Sequence, residues 1–155
     1  FHLLYSFVRQ TSILAAVQYM YDLYERVKAT GAQHELYMEG QFMNEPFLEA
    51  VHEEGRRRGY QLPLRVHKAS RVSKADRLEG MSPYYELKRV FWNADMQHDE
   101  DFKRGKDQLL AFPSKGVNDD AIDADAYAID LLNQANRATT DDRVFIPRGK
   151  SKYAF

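Results

Sequence analysis

The chain has 155 residues, 44% of them apolar and 29% charged, which is the composition of a globular protein long enough for one domain with a hydrophobic core. The lack of cysteine excludes disulfide bonds, thiolate-bound zinc and a cysteine nucleophile. No apolar run reaches the roughly 18 residues that a membrane helix needs, so we predict no membrane partner.

Short aliphatic and aromatic runs alternate along the chain with segments of helical periodicity. The predicted strands cover residues 2–9, 34–40, 62–67 and 87–92. The predicted helices begin near residues 12, 44, 74, 99 and 120, where capping residues precede apolar stripes. We expect Pro83 to break the chain after the third of these helices. The alternation predicts an α/β fold in which helices cover the faces of a sheet.

The end of the chain differs in composition from the rest. Residues 138–155 contain Thr, Pro, Gly and basic residues with little periodicity. We therefore predict one domain over residues 1–137, followed by a basic and loosely structured C-terminal extension over residues 138–155.

Four aspartates fall within seven positions at the start of the last predicted helix: Asp119, Asp120, Asp123 and Asp125. Helical spacing puts Asp119 and Asp120 on the same face as Asp123. One or two acids at a helix start are ordinary capping residues. Further acids repel one another unless a hard cation such as Mg²⁺ or Mn²⁺ lies between them. The sequence leaves both interpretations open.

Charge is unevenly distributed although the formal net charge is only −1. Residues 56–77 contain eight Lys or Arg and one acid, whereas residues 93–130 contain four Lys or Arg and ten acids. A protein that cuts phosphodiesters needs cations to hold the phosphates and carboxylates to hold a metal. The alternative interpretation of this charge distribution is a solvated charged face. Lys74 and Arg77 lie one turn apart at a predicted helix start, where both can contact one phosphate.

Several motifs, in this order, resemble the C-terminal nuclease domain of the large terminase subunit of tailed bacteriophages. They are Leu36-Tyr-Met-Glu-Gly-Gln41, Lys74-Ala-Asp-Arg77, Gln108-Leu-Leu-Ala-Phe112-Pro113 and Asn118-Asp-Asp-Ala-Ile-Asp-Ala124. The resemblance covers about residues 1–133 and implies an RNase H-like mixed sheet flanked by helices. It also implies an endonuclease that cuts concatemeric double-stranded DNA during genome packaging.

The family's setting is part of what the resemblance implies. The partners are double-stranded DNA, an ATPase domain in the same parent chain, the portal and the small terminase subunit. The expected location is the host bacterial cytoplasm, with transient attachment to the procapsid portal.

The resemblance assigns the acids of the catalytic site. Glu39 matches the acid of the central strand, and Asp120, with Asp119 or Asp123 beside it, matches the acids at the head of the last helix. Together they are expected to hold two Mg²⁺ or Mn²⁺ ions. By itself, Glu39 could equally be a solvent-facing strand end.

The resemblance also assigns the DNA contacts. Lys74 and Arg77 match the family's basic pair, and we expect Lys68 and Arg71 to contact the DNA backbone with them. The histidines at 52, 67 and 98 are interpreted as ordinary surface or core residues.

One departure from the family concerns its first metal-binding aspartate, which lies on the first strand of the sheet. This chain resembles the family from its third strand onward. We therefore expect that aspartate to lie upstream of Phe1, and we expect the first two strands of the sheet to be lacking here. The alternatives are a docking module without activity, which binds DNA or the portal, and a Holliday-junction-type resolvase.

Overall fold

The computed structural model describes residues 1–67, 73–114, 116 and 118–141, apart from the side chains of residues 74 and 136–141. The helices are α1 (Ile13–Ala29), α2 (Glu45–Arg58), α3 (Lys74–Glu86), α4 (Glu100–Ala111) and α5 (Asp120–Asp141). The strands are β1 (His2–Leu3), β2 (Leu36–Glu39), β3 (Leu64–His67) and β4 (Phe91–Trp92). Single 3-10 turns occupy Gly40–Phe42 and Ala94–Met96. The predicted α/β class is confirmed.

The chain divides into two compact units. The α1–α2 unit covers Arg9–Ser73, and the α3–α5 unit combines Phe1–Val8 with Lys74–Phe155. The prediction of one domain over residues 1–137 stays a prediction. No helix within the described ranges has the length and apolar character that a membrane crossing requires.

Local capping residues start the helices of the α1–α2 unit, as predicted. The Ser12 side chain accepts a hydrogen bond from the Ala15 N–H, and Asn44 accepts one from the Phe47 N–H. Helix α2 ends at Gly59, whose φ of 81° is the left-handed conformation that glycine adopts without strain. The core of this unit consists of Val17, Tyr21, Phe47, Val51 and Leu62.

Strands β2 and β3 are parallel neighbours in this unit, with Leu36 opposite Leu64 and Glu39 opposite His67. Leu36 and Leu64 pack against the core that α1 and α2 form. Because side chains alternate along a strand, Glu39 belongs to the other face of the pair.

The α3–α5 unit is built around the contact between α3 and α5. Its core consists of Leu78, Met81, Ile122, Ala126 and Ile129. Strands β1 and β4 pair in parallel, and the Trp92 ring meets the Phe102 ring of α4 edge to face at 5.0 Å. The apolar stripe predicted for α5 is therefore its buried face.

Three expectations differ from the structure. Pro83 lies inside α3, because the packing of Leu78 and Met81 on α5 outweighs the loss of one helical hydrogen bond at an exposed position. The strands predicted over residues 2–9 and 87–92 are only His2–Leu3 and Phe91–Trp92. Helix α5 continues to Asp141, so residues 138–141 of the predicted extension are helical, and residues 142–155 lie outside the described residues.

The RNase H-like sheet also stays a prediction. Among the described residues, the strands form two separate parallel pairs, β1–β4 and β2–β3.

Candidate functional site

The acidic start of α5 is the centre of the candidate site. The Asp119 carbonyl accepts a 2.9 Å hydrogen bond from the Asp123 N–H, which makes Asp119 the N-cap and Asp120 the first helical residue. Asp119 is half-buried and Asp120 is exposed. Gln108, on α4, accepts a 2.9 Å hydrogen bond from the Ala121 N–H through its Oε1 atom. The first turn of α5 is thus held by a side chain from another helix.

A cavity of about 220 Å³ lies beside this turn. Its lining residues are Gln108, Phe112, Pro113, Ser114, Gly116, Asn118 and Asp119. Side-chain amides, a hydroxyl and a carboxylate therefore share one small space, which suits hydrated or ionic ligands better than apolar ones.

Asp123 has a different environment, because it forms an ion pair with Arg77 of α3. The Arg77 Nε atom lies 3.1 Å from the Asp123 Oδ1 atom, and Nη2 contacts the same oxygen. The guanidinium carbon also lies 4.2 Å from the centre of the Tyr127 ring. The side chains of Arg77 and Asp123 are only 13% and 18% exposed, so this contact joins α3 to α5 inside the unit.

This ion pair connects two residues with separate predicted roles: Asp123 was predicted to bind a metal, and Arg77 was predicted to contact DNA. The sequence-based reasoning also missed Tyr127. Its position four residues after Asp123, on the same helical face, is the signal that could have identified it.

The basic segment of residues 56–77 is largely paired with acids. Arg58 contacts Glu54, Asp22 and Glu25, and Glu54 is a buried carboxylate only 2% exposed. The other pairs are Arg56–Glu53, Arg57–Glu54, Arg65–Glu35 and Arg77–Asp123. Lys68, Arg71 and the Lys74 side chain lie outside the described residues. The charge count along the sequence thus overstates how much positive charge is available for DNA.

Glu39 is the last residue of β2 and lies opposite His67, the last residue of β3. Its Oε2 atom accepts a hydrogen bond from Gln41 Nε2 at 2.5 Å. The carboxyl ends of parallel strands are where α/β proteins usually bind ligands. Glu39 belongs to the α1–α2 unit, and Asp119, Asp120 and Asp123 belong to the α3–α5 unit.

The acids differ in how well they fit a divalent cation. The carboxylates of Asp119 and Asp120 supply the oxygen ligands that Mg²⁺ and Mn²⁺ prefer. The charge of Asp123 is balanced by Arg77, so this residue fits an ion pair better than a metal ligand. In the part of the chain that the structure describes, no group of three His, Asp or Glu side chains is positioned to hold a metal ion.

Asp125 is a half-buried acid for which the sequence predicted no role. It lies three residues after Ile122, on the face that packs against α3, and lines an apolar cavity of about 60 Å³ with Phe1, Leu3, Ile129 and others. Burial raises the pKa of Asp125 to about 6. The neighbouring Tyr85 hydroxyl is buried without a hydrogen bond of normal geometry to any described residue. Helical spacing from Ile122 would have predicted this burial.

The raised pKa of Asp125 predicts an unusual dependence of stability on pH. Between its unfolded pKa of 3.8 and its folded pKa of about 6, the folded chain keeps a proton that the unfolded chain has released. The free energy of unfolding should therefore fall as pH rises through this window, by roughly 3 kcal/mol from this residue. Urea unfolding in EDTA, followed by the fluorescence of Trp92, measures it at pH 4 and pH 7.5.

The Asp125→Asn variant should lose this dependence, and Asp130→Asn, which changes an exposed acid of the same helix, should keep it. An Asp125→Asn variant with the same pH profile as the unchanged chain would contradict the prediction.

Comparisons of this chain with protein-family models, with curated proteins and with solved structures give no match.

Proposed function

We propose that this chain is a metal-dependent endonuclease domain of the terminase large-subunit type, which cuts double-stranded DNA during genome packaging. One observation supports this most directly. The consecutive carboxylates of Asp119 and Asp120 lie at the capped start of α5, and Asp119 lines the 220 Å³ cavity there. The order of the motifs along the chain is the basis for proposing the terminase family.

Each residue has a role in this proposal. Asp119 and Asp120 hold Mg²⁺ or Mn²⁺, and Asp123 fixes α5 against α3 through Arg77. A bound ion of this kind activates water for attack on phosphorus and stabilises the leaving oxygen. Glu39, in the α1–α2 unit, keeps the role of an essential acid that the resemblance gives it.

The proposed DNA contacts differ at one residue from those that the sequence predicts. Lys68, Arg71 and Lys74 keep the role of contacting phosphates, whereas Arg77 acts through Asp123 because its guanidinium is already bonded there. Contacts to phosphates give an affinity that falls with salt and carries little sequence information. The ATPase domain, the portal, the small terminase subunit and the cytoplasmic location follow from the same proposal.

A plasmid-nicking assay at low salt tests the function. It compares Mn²⁺, Mg²⁺ and EDTA, and it uses this chain and the parent sequence extended upstream by about 30 residues, roughly two strands and a turn. We expect nicking by the extended protein in Mn²⁺ or Mg²⁺ and none in EDTA.

Two results would overturn the proposal. DNA binding without cutting by either protein would identify a docking module. Strong preference for four-way junctions over plain duplex would identify a resolvase.

A further inference from the structure

Asp125 of α5 and Tyr85 of α3 place a carboxyl group and a hydroxyl group on the wall of a mainly apolar cavity. This cavity lies within the α3–α5 unit and has a volume of about 60 Å³. Apolar side chains supply most of the remaining wall: Phe1, Leu3, Val90, Ile129 and Leu132. Because the Leu132 side chain is 50% exposed, a ligand can enter the cavity from solvent on that side.

The carboxyl group of Asp125 lacks a cation among the described residues. Its neighbour there is the Tyr85 hydroxyl, which is itself buried without a hydrogen bond of normal geometry to any described residue. An ionised carboxylate against apolar walls is unfavourable without a positive partner, and burial accordingly raises the pKa of Asp125. A cationic group bound in the cavity would remove this cost.

The size of the cavity decides which kind of cation fits. A volume of about 60 Å³ corresponds to about two water molecules, at roughly 30 Å³ each, and therefore to the terminal CH₂–NH₃⁺ group of an alkylamine. A planar guanidinium is larger than this. A divalent metal ion needs about six oxygen ligands, which the apolar wall does not supply.

We infer that this cavity binds the ammonium end of an alkyl chain, with Asp125 as the counter-ion and the Tyr85 hydroxyl as a second acceptor. An ammonium group has three hydrogen-bond donors and no acceptor, which matches these oxygen atoms. The aromatic rings of Tyr85 and Phe1 add cation–π attraction, and the alkyl chain lies against Leu132. The inference does not rest on the proposed function, because it involves neither DNA nor a metal ion.

A titration of the whole chain with butylammonium tests the inference. Dissociation constants are obtained from the amide NMR signals of Asp125, Ala128 and Leu132. The buffer is phosphate at a constant pH of 7.5, because other amines would compete and Asp125 is ionised there. A constant pH is also needed because His2 and the amino group of Phe1 belong to residues that line the cavity.

Two variants and one neutral probe isolate the ammonium contact. Asp125→Asn keeps the shape of the side chain and removes its charge, and Tyr85→Phe removes only the hydroxyl group. Asp130→Asn is the matched control, since Asp130 is an exposed acid of the same helix. Butanol has the same alkyl chain as butylammonium and no charge.

We expect saturable binding of butylammonium that becomes about tenfold weaker or more in Asp125→Asn, because a hydrogen bond to a charged group is lost. Tyr85→Phe should weaken binding severalfold, and Asp130→Asn should leave it unchanged. Butanol should bind at least about tenfold more weakly than butylammonium, for the same reason as Asp125→Asn.

Three results would overturn the inference. An NMR spectrum that butylammonium does not change would leave the cavity to water. Equal affinity for butanol would make the site merely apolar, and an Asp125→Asn variant that binds as tightly as the unchanged chain would remove the counter-ion.

A second probe, the methylamide of Nα-acetyl-lysine, identifies the source of the ammonium group. Binding tighter than that of butylammonium would point to a lysine side chain within a polypeptide, because the backbone then contributes. Equal or weaker binding would point to a free alkylamine. Either result supports the ammonium site itself.

Discussion

The Arg58→Ala variant should lose about 3 kcal/mol of its free energy of unfolding. Glu54 is a buried carboxylate, 2% exposed, and Arg58 Nε lies 2.6 Å from its Oε1 atom. Arg58 also bonds Asp22 at 2.7 Å and Glu25 at 3.1 Å, which joins α2 to α1. Removing it leaves Glu54 buried with only Arg57 to balance its charge. The loss is therefore at the lower end of the range for a broken buried pair.

The matched control is Arg56→Ala, two residues earlier on the same helix. The Arg56–Glu53 pair is exposed at both ends, 68% and 66%, so its loss should cost less than about 1 kcal/mol. Urea unfolding followed by circular dichroism measures both variants. If Arg58→Ala is no less stable than Arg56→Ala, the ion pairs of Arg58 contribute little to the free energy of unfolding.

The lowered pKa of Glu54 also predicts how the free energy of unfolding depends on pH. Hydrogen bonds from Arg57, with those from Arg58, hold the pKa of Glu54 at about 2, below its unfolded value of 4.5. The stabilisation is therefore complete above pH 4.5 and is lost as pH falls toward 2. This is the opposite direction to the effect of Asp125, whose contribution is lost as pH rises toward 6.

The second large effect is expected on cutting. In the extended protein, Asp120→Ala should lower Mn²⁺-dependent nicking more than about a hundredfold, since loss of an outer support alone commonly costs 10–100-fold. Asp120 is exposed at the start of α5, so the variant should fold normally. The nicking rate, with circular dichroism as a check on folding, measures this.

Two further variants complete that experiment. Asp130→Ala removes an exposed acid from the same helix, and we expect it to cut at the original rate. Glu39→Ala tests the acid of the α1–α2 unit by itself and should be as inactive as Asp120→Ala. Cutting by Asp120→Ala in Mn²⁺ would show that the acidic turn is not the metal site.

Much of the candidate site was accessible from sequence, because the signals are local. Asp119 and Asp120 were placed at the start of a helix by the apolar residues that follow, and the structure begins α5 there. Glu39 was placed at the end of a strand, and it ends β2. The cap from Gln108 was not predicted, because a helix sequence carries no information about which distant side chain meets its first N–H groups.

The sequence by itself determined the α/β class and where most helices begin, because a cap such as Ser12 or Asn44 forms its bond within three residues of chain. Only the tertiary structure decided which charges neutralise one another. Arg77 meets Asp123 from 46 residues away, and Arg58 meets Glu25 from 33 residues away. Such pairs depend on how helices pack, and packing also leaves Asp125 half-buried and keeps Pro83 inside α3. Charge counted along the chain therefore predicted the acidic turn, while packing pairs one of the predicted DNA-binding cations, Arg77, with Asp123.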